Sequence, residues 1–91
     1  YLISIVLSNR DKQKAVDEIH QFATFLKQKE AGKVLGPSEL YKMQDMYRFR
    51  LILKGKNREE MINAVAQCQS ECLALKMRSR IKIDTSPMML D

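Results

Sequence analysis

Residues 34–55, "VLGPSELYKMQDMYRFRLILKG", change character halfway along. In the second half, Tyr47, Phe49, Leu51 and Leu53 fall on one face of an extended chain. Arg48, Arg50, Ile52 and Lys54 fall on the other. This is the pattern of a strand that gives one face to a core and leaves the other uncovered. The first half contains Gly36-Pro37, and proline cannot donate to a sheet ladder. The strand there is therefore expected to be an edge, or to begin after the break. "MQDM" lacks a standard two-residue hairpin signal but supplies Asp45 for a turn.

Before this stretch, residues 1–8, "YLISIVLS", are aliphatic and β-branched and read as a strand. The period then changes. Val16, Ile19, Ala23 and Leu26, with Phe22 alongside, recur at helical spacing. Ser8 and Asp11 approximate a capping box, and Gly32 is the expected stop. After the stretch, Asn57 is placed to cap a second helix over about 58–76, with Glu59 and Glu60 in its first turn. Its expected buried stripe is Met61, Val65, Cys68, Cys72 and Leu75. "MRSRIKID" alternates again, with Ser79, Ile81 and Ile83 on one face and Arg78, Arg80, Lys82 and Asp84 on the other. The order strand, helix, strand, strand, helix, strand predicts an α+β, ferredoxin-like split βαβ fold. Two helices would cover one face of a four-stranded antiparallel sheet whose first and third strands are central.

Ninety-one residues suffice for one small domain, and 45% hydrophobic with 30% charged content suits a folded chain. No apolar run approaches the ~20 residues of a membrane span. A chain that opens on Tyr1 inside a strand is expected to be a piece of a longer protein. Cys68 and Cys72, four apart in a helical pattern, read as buried thiols rather than metal ligands. His20 stands alone on a helix, so acid–base catalysis has no partnered base. The three glycines lie at element ends and make no phosphate loop. No catalytic motif, metal site or cofactor site can be assembled from these residues.

The net charge of +5 is unevenly distributed. Windows 42–56 and 76–84 together carry +7, leaving −2 for the rest. Two readings of this basic, uncovered sheet face compete. Charges can simply solvate the face and keep strand edges from pairing. Alternatively Arg48, Arg50, Lys54, Arg78, Arg80 and Lys82 form a surface for phosphates, suited by its arginine content. Tyr1, Tyr41 and Tyr47 are assigned mostly toward the core, so tracking of a nucleic-acid backbone fits better than base reading.

Three motifs in order resemble one family. Val34-Leu35-Gly36-Pro37, then Tyr47, Arg48, Phe49, Leu51, Leu53 and Lys54, then Ile83, Asp84 and Pro87 are similar to the primosomal protein N′ (PriA) C-terminal domain. The likeness spans essentially the whole chain. It departs from the family at Ser86, where an aspartate is usual, and at "QDM", where the turn usually carries glycine. The resemblance implies that 1–91 is a single domain at the C-terminal end of a cytoplasmic, ATP-dependent 3′-to-5′ DNA helicase of replication restart. ATP, magnesium and zinc would belong to the preceding parts of that parent. It further implies partners: single-stranded or forked DNA, other primosome proteins, the helicase core of the same chain, and the acidic tail of single-stranded DNA-binding protein. Arg58, at the start of the second helix, would meet that tail. Two alternatives stay open: a docking module using Gly36-Pro37, Tyr41 and the tail Met88-Met89-Leu90, and a small ribosomal-type RNA-binding protein.

Overall fold

The computed structural model describes residues 1–85. The departure at Ser86, the motif residue Pro87 and the apolar tail 88–90 lie outside that range. Six elements follow in the expected order: β1 (Leu2–Asn9), α1 (Lys12–Lys29), β2 (Lys33–Met43), β3 (Met46–Lys54), α2 (Arg58–Ala74) and β4 (Arg80–Asp84). The strands form one antiparallel sheet in the order β2-β3-β1-β4, so β1 and β3 are central. This is the ferredoxin-like arrangement the sequence predicts. No helix among the described residues is long and apolar enough to cross a membrane.

The core lies between the helices and one sheet face. β1 and β3 pair so that Leu7 meets Phe49, Ile5 meets Leu51 and Ile3 meets Leu53. All six are buried, and Ala15, Ile19, Phe22, Ala23 and Leu26 of α1 close over them. From α2 come Met61, Ala64, Val65, Cys68 and Cys72, while Ile81 and Ile83 of β4 pack at the margin. A salt bridge from Lys29 to Glu71 ties the two helices together above this layer.

Helix boundaries follow side-chain chemistry, with two corrections. Asn57 caps α2 as expected, accepting the Glu60 N–H at 3.0 Å. At α1 the cap is Asp11 itself, whose carboxylate accepts the Lys14 N–H at 3.2 Å; Ser8 belongs to β1. Glu30, not Gly32, takes the left-handed turn (φ 54°) that ends α1. Gly32 instead allows backbones to touch, since a Cβ there would sit 2.5 Å from the Lys54 carbonyl oxygen. Leu75 falls beyond α2 and is exposed, just before Lys76 turns the chain left-handed (φ 58°).

β2 is an edge strand, as expected, but it runs straight through Gly36-Pro37. Two bulges make this possible. Leu35 pairs with Ile52 and Ser38 with Arg50, so Gly36 and Pro37 together oppose Leu51. Leu40 pairs with Arg48 and Met43 with Met46, so Tyr41 and Lys42 together oppose Tyr47. The hairpin is then closed by two residues after all. Gln44 (φ 51°) and Asp45 (φ 61°) both adopt the left-handed region, which matches strand twist without glycine.

Gly36 is the position where this edge depends on one residue type. It has φ +98°, and a Cβ would lie 2.8 Å from the Arg50 carbonyl oxygen. Gly36→Ala should lower the unfolding free energy by roughly 1–3 kcal/mol, measured by urea denaturation. An unchanged urea midpoint would show that the bulge relaxes freely.

Candidate nucleic-acid interface

The register fixes what the uncovered face presents. Each antiparallel pair shares a face, so side chains line up in rungs across β2, β3, β1 and β4. One rung reads Leu40, Arg48, Ser8, Arg80; the next reads Ser38, Arg50, Val6, Lys82. Below them come Leu35, Ile52, Ser4, Asp84, and then Lys33, Lys54 and Leu2. Among these residues six are cationic and Asp84 alone is anionic, so the face carries +5, equal to the net charge of the whole chain.

Neighbouring strands stand about 4.8 Å apart, so Arg48 and Arg80 rise from backbone points about 10 Å apart. At such distances like charges repel by only about half a kcal/mol per pair in water. The cluster is therefore tolerable unliganded. A polyanion, however, would meet all six cations at once, with little opposing acid to screen them.

The structure brings Arg48, Arg50, Lys54, Arg80 and Lys82 to this one face. Arg78 is displaced from it: β4 begins at Arg80, and Arg78 lies in the connection from α2. There it lines a recess with Lys14, Asp17, Glu18 and Lys76, and a second one with Arg10 and Arg80. The alternation of "MRSRIKID" extends beyond the paired segment, because the sequence does not mark where pairing with β1 stops. Arg58 is exposed at the first turn of α2, in the helical layer, and so stands apart from the sheet face.

Two residues outside the predicted cationic set lie beside it. Lys33 sits opposite Lys54 at the foot of the sheet. Tyr41, assigned toward the core, is instead 93% exposed and lines an open depression with Glu39, Leu40, Arg48 and Arg50. The second bulge is the cause, since it adds a residue and reverses the alternation. Arg48 anchors this corner, donating from Nη1 to the Tyr41 carbonyl oxygen (3.3 Å) and to Met43 Sδ (3.2 Å). Tyr47, by contrast, is committed to the helical side. Its ring lies under Lys42 Nζ at 4.6 Å and Lys12 Nζ at 5.9 Å. An exposed aromatic ring is thus present beside the arginines, and it is that of Tyr41.

No group of three or more His, Cys, Asp or Glu side chains placed to hold a metal occurs among the described residues. His20 is exposed on α1. Both cysteines are buried free thiols. Burial, aided by the Glu71 carboxylate, pushes Cys68 up to about 12; burial, aided by Glu71 and Glu18, pushes Cys72 up to about 11. Such thiols stay protonated and unreactive near neutral pH.

A two-layer ferredoxin-like sandwich with one cationic, uncovered sheet face is therefore the class these features define. The chain belongs to the primosomal protein N C-terminal domain family, whose family model matches residues 1–88. No curated protein sequence matches it significantly. Among solved structures it is similar to the de novo designed protein Foldit4, at 13% identity and a TM-score of 0.72 over 91% of each chain. It is also similar to the de novo designed protein Ferredog-Diesel, at 13% identity and a TM-score of 0.52, covering 92% of this chain and 84% of that one. Likeness to designed folds shows the architecture alone.

The thiols give a pH test. Both have folded pKa values above the ordinary 9.0, so the unfolded chain loses these protons first as pH rises. Their stabilising contribution is intact below pH 9 and is lost progressively toward pH 11–12. Between pH 8 and 10.5 the urea midpoint should fall more steeply for the wild type than for Cys68→Ala/Cys72→Ala. Equal slopes would contradict the assigned burial effect.

Proposed function

We propose that this domain is the DNA-binding and docking module of a primosomal protein N′, at the C-terminal end of an ATP-dependent 3′-to-5′ DNA helicase acting in replication restart. The observation that carries this reading is the sheet face holding a charge equal to the entire net charge of the chain. Arg48, Arg50, Arg80 and Lys82 contact phosphates of single-stranded or forked DNA, with Lys33 and Lys54 extending the path. Arginine forks suit phosphate oxygens, and Tyr41 offers a ring for one unstacked base. Most contacts are to backbone, so binding tolerates many sequences.

Docking uses other surfaces. Arg58 stands exposed at the N-terminus of α2, where helix N–H groups favour anions, and receives the acidic tail of single-stranded DNA-binding protein. Leu73 and Leu75, 73% and 58% exposed at the end of α2, favour coverage by the helicase core of the same chain. ATP, magnesium and zinc are required by the preceding parts of that parent, and other primosome proteins meet it in the cytoplasm.

The test is electrostatic. Binding of a fluorescent oligothymidylate is measured across a salt series for the wild type and for Arg48→Ala/Arg50→Ala/Arg80→Ala. Each lost single-strand phosphate contact removes ~0.7 from the log–log salt slope, so three should flatten it by about 2. An unchanged slope would sink the assignment of this face. Parallel measurement with an RNA of the same length separates the ribosomal-type alternative, which requires RNA to bind more tightly.

A further inference from the structure

At the upper end of the sheet a second group of cations converges. Ser8, Asn9, Arg10, Lys14, Met46, Arg78 and Arg80 line a recess of about 360 Å³. Four of the seven are cationic and none is acidic. They come from separate parts of the chain: the β1–α1 corner, the first turns of α1, and the connection into β4. None of the four is in an ion pair among the described residues, where salt bridges join Lys12 to Glu39 and Lys29 to Glu71. Asp17 and Glu18 line a neighbouring recess with Lys14, Lys76 and Arg78, and the carboxylates nearby have other partners: Asp17 accepts from Gln13 Nε2 at 2.9 Å. Asp11 caps α1, and Glu18 accepts the Ser79 N–H at 3.1 Å.

One neutral side chain holds the recess in shape. Asn9 donates from Nδ2 to Ser79 Oγ at 3.0 Å and accepts the Asp11 N–H through Oδ1 at 2.8 Å. The first bond fastens the connection between Arg78 and Arg80 to the end of β1. The second fixes the turn that carries Arg10 into α1. The backbone on both sides is thus set before any ligand arrives, which reduces the ordering cost of binding.

We propose that Arg10, Lys14, Arg78 and Arg80 form a phosphate-binding pocket that takes a phosphate group of a polynucleotide strand. Three guanidinium forks and one ammonium match the several oxygens of phosphate, and the Ser8 hydroxyl adds a further donor. A polynucleotide is favoured over an acidic peptide by continuity. Arg80 and Ser8 also belong to the rung that runs through Arg48, so one strand leaving the sheet face passes directly into the recess. The inference rests on the nucleic-acid reading of that face and extends it around the β1–α1 corner, to residues outside the strands. The phosphate is either internal to the strand or at its end.

The variant Arg10→Gln/Lys14→Gln alters only exposed residues, neither of them in the sheet. Anisotropy titrations with oligothymidylate should show its salt slope reduced by about 1.4 from wild type, two contacts at ~0.7 each. Oligonucleotides with a 5′-phosphate, a 3′-phosphate or hydroxyl ends distinguish the source. Tighter binding of one phosphorylated end by the wild type alone assigns a terminal phosphate, and equal binding of all three assigns an internal one. A variant slope equal to wild type, while Arg48→Ala/Arg50→Ala flattens it, would overturn the pocket and leave the sheet face standing. Calorimetric titration with inorganic tripolyphosphate covers the converse. If the oligonucleotide does not bind but tripolyphosphate binds the wild type and not the variant, phosphate binding by the four cations stands, while its polynucleotide occupant is overturned together with the face reading. Equal tripolyphosphate binding by both proteins, or hexaglutamate binding lost in the variant without any phosphate binding, would overturn the pocket.

Discussion

The pairing of β1 with β3 is the constraint on which everything else rests. Leu7 with Phe49, Ile5 with Leu51 and Ile3 with Leu53 bury one side of the sheet under two helices. The same register necessarily sets Ser8 beside Arg48 and Val6 beside Arg50 on the other side. A slip of one residue would bring the arginines into the core and turn the leucines out to water. Burial of apolar area thus fixes the position of charge. The cationic face is a geometric consequence of the core, held by strands rather than by loops.

The two sheet edges are managed differently, and that difference shapes the site. β2 carries two bulges and Pro37, which has no N–H to donate, and these break up its free edge and discourage pairing with another chain. Its second bulge also turns Tyr41 outward beside Arg48 and Arg50. β4 is short, regular and charged; it sets Lys82 on the sheet face beside Val6 and Arg80 at the recess of the β1–α1 corner. One irregular edge supplies the aromatic group, and one short edge supplies cations.

Most of this fold could be read from periodicity. "YRFRLILK" separates its two faces residue by residue, the α1 stripe is continuous, and Asn57 with Glu60 marks a helix start by its own chemistry. The parts that could not be read depend on how many residues oppose one another across strands. Nothing local in "SELYKM" states that Tyr41 and Lys42 share Tyr47 as a partner. Gln44-Asp45 closes a tight hairpin although neither is glycine, so the usual signal is missing. Arg78 alternates with Arg80 in sequence, yet pairing begins only at Arg80. Likewise, the role of Asn9 exists only because residue 79 returns to it across the fold.

Amide chemical-shift mapping of the protein with a short oligothymidylate bears on the whole scheme at once. The account requires shifts concentrated at Ser4–Ser8, Tyr41, Arg48–Ile52 and Arg80–Asp84, with the outward sides of the helices, at Thr24, Gln28, Asn63 and Gln67, unaffected. Shifts confined to the helical layer, with the sheet face silent, would contradict it.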